Sequence, residues 1–183
     1  MSNLVMIDSQ IFIWGIKGFA TAGQEHKVEQ AKAFVEWLSE SDYRILLPTP
    51  MMAELLSAVP KEEQAKIKQY FDKNFVVAPF DSLASEKCGE LINLSLTEDK
   101  RMKAAGEQLC PRNEIKFDCM LVSIAITKRC SKVYSDDKHL KKFACGQIEV
   151  LNMPIIAKQA TLDLKVRQIE RGVEAKQEEQ QRN

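Results

Sequence analysis

Short apolar runs alternate along this chain with longer stretches in which apolar residues return every third or fourth position. Residues 4–7, Leu-Val-Met-Ile, are closed by Asp8 and Ser9, the look of a strand buried on both faces. From Glu25 to Glu40, Val28, Ala31, Val35 and Leu38 recur at helical spacing. Arg44 to Leu47 predicts a second strand. Thr49 then serves as N-cap and Pro50 as the first residue of a helix carrying Met51, Met52, Leu55 and Leu56 on one side. Pro60 opens a further helix with Ile67, Tyr70 and Phe71 inward. Phe75 to Val77 predicts a third strand ended by Pro79, and Asp81 or Ser82 caps a helix that buries Ala84, Cys88 and Leu91.

Residues 97–115 are polar, contain Gly106 and Pro111, and read as a connection with some helix. The run Met120 to Ile126 suits either a buried strand or a buried helix, because periodicity does not separate the two at this length. Lys132 to Ser135 predicts a strand followed by a helix from Asp136, and Ile148 to Leu151 a last strand. Strands alternating with amphipathic helices imply an α/β fold whose parallel sheet is covered on both faces.

A domain over residues 1–154 accounts for this pattern, with 155–183 a helical extension. In the extension Leu162, Val166, Ile169 and Val173 form a narrow stripe, suited to docking on the domain or on a second chain, and the last ten residues have nothing to bury.

Composition narrows the chemistry. The 183 residues are 45% apolar and 28% charged, with 26 basic and 26 acidic side chains. A balanced charge leaves no global field for nucleic acid, so a phosphate-bearing substrate needs local basic groups or metal ions. Five cysteines without a CxxC pair, and only His26 and His139, argue against zinc and for reduced thiols. The opening MSNLVMIDSQIFIW is too short and too interrupted by Asp8 for a signal peptide or membrane span, and points to the cytoplasm.

In an open parallel sheet, ligands gather beyond the carboxyl ends of the strands. Asp8 follows the first strand, Glu54 lies in the helix after the second, and Asp136 and Asp137 follow the strand Lys132–Ser135. Asp118 reaches the same rim if the apolar run behind it is a helix. Clustered carboxylates repel one another unless cations neutralise them, and oxygen donors alone select Mg²⁺ or Mn²⁺. Such a cation lowers the pKa of a bound water and serves phosphoryl transfer without a nucleophilic side chain. No GxSxG, Walker loop or GxGxxG is present.

These segments resemble the PIN-domain family. Val5-Met6-Ile7-Asp8-Ser9 resembles its opening strand and Pro50-Met51-Met52-Ala53-Glu54-Leu55 its second motif. Phe117-Asp118-Cys119-Met120-Leu121 resembles the third, an Asp opening a buried helix, and Val133-Tyr134-Ser135-Asp136-Asp137 the fourth. The resemblance spans roughly residues 3–152. It implies a three-layer α/β/α sandwich with four or five parallel strands, a helix over residues 120–126, and Asp137 as the fourth acid with Asp136 as a spare.

It also gives Ser9 and Ser135 supporting roles and implies metal-dependent cleavage of RNA, as in VapC-type toxins. Those toxins form homodimers and are blocked by a small antitoxin. The segment 97–115 and the tail after Met153 are longer than in the compact toxins. On this reading Asp8, Glu54, Asp118 and Asp137 hold the metal and attack in line leaves a 5′-phosphate. Lys138, His139, Lys141 and Lys142, with Lys100, Arg101 and Lys103 in the connection, are candidate RNA contacts. The alternative is a PIN-like scaffold without activity that binds RNA or a protein. A haloacid-dehalogenase phosphatase needs an acid where Gln10 stands, and a response-regulator receiver needs one where Ala78-Pro79 follow the third strand.

Overall fold

A computed structural model describes residues 3–104 and 112–156, the side chains of 98–104 and 112 excepted. The expected helical extension from residue 157 on and Cys110 lie outside the described residues, as do the side chains of Lys100, Arg101 and Lys103.

Five strands form one parallel sheet: β1 (Leu4–Ile7), β2 (Arg44–Pro48), β3 (Val76–Ala78), β4 (Lys132–Tyr134) and β5 (Val150–Leu151). Their spatial order is β3-β2-β1-β4-β5. The chain therefore builds outward from β1 to β3, then crosses back to β4 on the other flank of β1. Right-handed crossovers in opposite directions place helices on both faces and complete the three-layer α/β/α sandwich. The point of reversal lies between β1 and β4, where neighbouring crossovers part and leave a crevice at the strands' carboxyl ends.

Helix α1 (Ser9–Phe12) runs into a π-helical turn, Ile13–Lys17. It is followed by α2 (Glu25–Glu40), α3 (Thr49–Ser57), α4 (Lys61–Asn74), α5 (Ser82–Ala104), α6 (Arg112–Thr127) and α7 (Lys138–Phe143). The apolar run after Asp118 is thus helix, and most of the segment expected as a connection belongs to α5 and α6. Helix α6 starts at Arg112, just after Pro111, so Asp118 sits well inside it and does not open it. The N-cap of α3 is Pro48 and not Thr49, whose Oγ1 instead accepts the Phe80 N–H at 3.3 Å. Asp81 caps α5 as expected, accepting the Ala84 N–H at 2.9 Å.

The core sits on both faces of β1, whose Val5, Met6 and Ile7 are fully buried. Phe34 of α2 meets Tyr134 of β4 edge-on at 4.7 Å, while Phe12 packs on Phe71 and Phe75 at 5.6 and 5.2 Å. Gly15 lets the π turn press onto α2: a Cβ there would lie 2.9 Å from Val35 Cγ2 and 3.0 Å from the Ala31 carbonyl oxygen. That close approach fixes where Trp14 lies. Cys88, Cys119 and Cys130 are buried free thiols and Cys145 is exposed. Among the described residues no helix is long and apolar enough to cross a membrane.

Candidate active site

The ladder between β1 and β4 positions the first acid. Ile7 pairs with Tyr134, and the Asp8 N–H continues the ladder to the Tyr134 carbonyl at 2.9 Å. Asp8 therefore stands beside Ser135, whose Oγ donates to Asp8 Oδ2 at 2.7 Å and accepts the Asp137 N–H at 3.0 Å. One hydroxyl thus orients an acid on β1 and the turn carrying another. Ser9 Oγ lies farther, 3.4 Å from Asp8 Oδ1.

Asp8, Glu54, Asp118 and Asp137 line one open cleft of about 1140 Å³ beyond the strands' carboxyl ends. A smaller surface hollow, between the starts of β2 and β3 and the flank of α4, lacks all four. Asp8 is only 8% exposed. Burial raises its carboxyl above the usual range, the negative charge of Asp137 adds to this, and the bonds from Ser135 and Ser9 oppose it. Asp118 is pushed up to about 7, first by burial and then by the charges of Asp8, Asp137, Glu114 and Glu54. Its carboxylate makes no hydrogen bond or ion pair with a described residue.

Glu54 has an exposed residue surface, yet partial burial of its carboxylate and the charge of Asp8 raise it, with Lys17 and Ser9 opposing. Lys17 is itself engaged, donating to the Leu55 carbonyl at 3.0 Å. Asp137 spends one oxygen as the cap of α7, accepting the His139 N–H at 2.7 Å.

Asp136 lines the same cleft, but both of its oxygens are taken. Oδ2 accepts from Lys27 Nζ at 2.7 Å and Oδ1 from the Met153 N–H at 3.0 Å. The candidate RNA contacts on α7 are not brought into the cleft; His139 stacks on Phe143 at 6.1 Å. Lys27, Trp14 and Glu114 do line it, although none of them is among the site residues expected from the sequence. Glu114 had a readable signal, standing four residues before Asp118 on the same helix face. Lys27 and Trp14 had none, since only the tertiary fold brings them there.

The donor set fits a hard divalent cation in kind, being carboxylate oxygens only that line one cleft. It stands open: among the described residues no three Asp, Glu, His or Cys groups are gathered closely enough to hold an ion.

No protein-family model and no curated protein matches this sequence. Solved structures do. One is the crystal structure of VapBC2 from Rickettsia felis bound to a DNA fragment from their promoter, at TM-score 0.52 and 15% identity, covering 82% of this chain and 99% of that one. FitAcB from Neisseria gonorrhoeae matches at TM-score 0.52 and 13% identity, over 81% and 96% of the two chains. DNA-bound VapBC from Salmonella typhimurium matches at TM-score 0.51 and 14% identity, over 84% and 100%. At such low identity the likeness speaks for the fold, and the fold is PIN-like: a five-stranded all-parallel sheet flanked by helices.

Proposed function

We propose that this protein is a metal-dependent endoribonuclease in which Asp8, Glu54, Asp118 and Asp137 hold Mg²⁺ or Mn²⁺. The observation that carries this reading is the meeting, in one cleft, of four acids from separate elements, none of them ion-paired with a described lysine or arginine. Keeping acids together in that way is costly for folding and is sensible only where a cation arrives. RNA as the substrate rests on the four motif resemblances, which the likeness of fold to VapBC and FitAcB supports. The same likeness favours the toxin of a toxin–antitoxin pair, working as a homodimer and held in check by a small antitoxin.

When bound, the cation supplies Lewis acidity at the phosphate and acidifies water near neutral pH. The protein does the positioning. Ser135 fixes Asp8 through Oδ2. Asp137 offers the oxygen not used by the cap of α7. Glu54, its carboxyl raised, completes the site or orients the attacking water. In-line attack releases a 3′-hydroxyl and leaves a 5′-phosphate.

A second reading, a scaffold that binds RNA or a protein without turnover, is favoured by the open spacing of the acids. Incubation of single-stranded RNA with the protein and Mn²⁺ separates the two. Cleavage that stops with EDTA and leaves 5′-phosphate ends is expected. Saturable Mn²⁺ binding with no cleavage of any RNA in a diverse pool contradicts the nuclease reading and leaves the scaffold.

A further inference from the structure

Besides the acids and Glu114, the cleft is lined by Trp14 of the π turn, Lys27 and Gln30 of α2 and Asn152 after β5. Among the described residues lining the cleft, Lys27 is the one lysine or arginine.

Its ammonium stands 2.7 Å from Asp136 Oδ2 and 5.7 Å from the centre of the Trp14 ring. Both partners of the ion pair are partly exposed, at 28% and 25%. A pair of that kind is worth about 0–1 kcal/mol, so exchanging its anion costs little. Asp136 keeps its bond from the Met153 N–H when Lys27 leaves. The lysine stem is long and its donors rotate, which lets the ammonium swing while α2 stays still. The amides of Gln30 and Asn152 make no hydrogen bond with a described residue and line the same cleft. Trp14 Nε1 is buried without an acceptor.

A nucleic-acid strand entering this cleft meets the negative charge of the acids, and its phosphates need a cation. A volume of about 1140 Å³ slightly exceeds that of a small-molecule site and holds a few nucleotides of an unpaired strand. The geometry points to Lys27 as the residue that positions the substrate: its ammonium exchanges Asp136 for a backbone phosphate of single-stranded RNA. The strand then lies along Lys27, where Gln30 and Asn152 offer their amides to base edges. The choice of RNA rests on the nuclease reading; the role of Lys27 rests on the cleft.

Anisotropy of a labelled oligouridylate, measured with EDTA at low salt so that nothing is cleaved, tests this apart from catalysis. Lys27→Ala weakens binding about tenfold. It also lowers the slope of log affinity against log salt by about one. Lys27→Arg retains both. Asp136→Asn, which frees the ammonium, tightens binding in the wild type and has no effect in the Lys27→Ala background.

A lysine that merely ties α2 to the β4–α7 corner behaves otherwise. Lys27→Ala and Asp136→Asn then weaken binding together and leave the salt slope alone, which overturns the inference. Absence of RNA binding by the wild type overturns it as well. Binding that depends on Lys27, with no cleavage when Mn²⁺ is supplied, counts against the nuclease reading alone.

Discussion

Asp81 and Asp118 are aspartates of the same helical layer with opposite surroundings. Asp81 caps α5 and accepts Lys128 Nζ at 2.7 Å, and that bond, followed by the Ala84 N–H, holds its carboxyl below the usual range. Asp118 has no such partner, and burial beside other acids carries it to about 7. Away from the cleft, the chain neutralises Asp81 with its own lysine. Asp8 and Asp118, whose carboxyls burial raises, share one cleft with Glu54 and Asp137, and none of the four is ion-paired with a described lysine or arginine. Perturbed acids gathered in a cleft are what the proposed cation site requires.

The comparison can be broken most forcefully at Asp8. Asp8→Asn keeps the shape and the bond from Ser135 while removing charge, and is expected to lower Mn²⁺-dependent RNA cleavage by about a thousandfold or more with an unchanged circular dichroism spectrum. Ser135→Ala comes next. It frees Asp8 Oδ2 and the Asp137 N–H together, and loss of such an orienting group costs about 10–100-fold in metal affinity, readable by Mn²⁺ titration.

Asp118→Asn sharpens the contrast through stability. Its folded pKa lies above the unfolded value, so the folded state holds the extra proton between them. The wild type without divalent ions therefore loses stability as pH rises from about 4 to about 7. The variant lacks that slope. At pH 8 it should be more stable by about 1–2 kcal/mol, discounted for solvent screening, and melt a few degrees higher. Asp81→Asn is the smallest and opposite case. Asp81 contributes stability above the ordinary carboxylate pKa, and the contribution fades as pH falls through its lowered folded value. The substitution should lower Tm slightly at pH 7 and leave RNA cleavage as it was.

What could be read from residues alone follows the range of the interactions. An apolar run buried on both faces and stopped by one acid, as in Leu4–Ile7 and Asp8, is legible because the neighbours on the chain impose it. The adjacent Asp136 and Asp137 were not separable by periodicity. What distinguishes them in the fold is that Lys27 and the Met153 N–H claim both oxygens of Asp136. The Lys27–Asp136 pair joins residues 109 positions apart, and no local pattern announces it. The start of α6 was hidden by the polar composition before Asp118, although Pro111 ahead of Arg112 is a sound start signal. With that start, Glu114 falls into line with Asp118.

Calorimetric titration of Mn²⁺ into the wild type and into Asp118→Asn, at equal pH and ionic strength, addresses the central claim most directly. Saturable binding to the wild type, at least tenfold weaker in the variant, is the predicted result. Superimposable isotherms, or a wild type that never saturates, would contradict it.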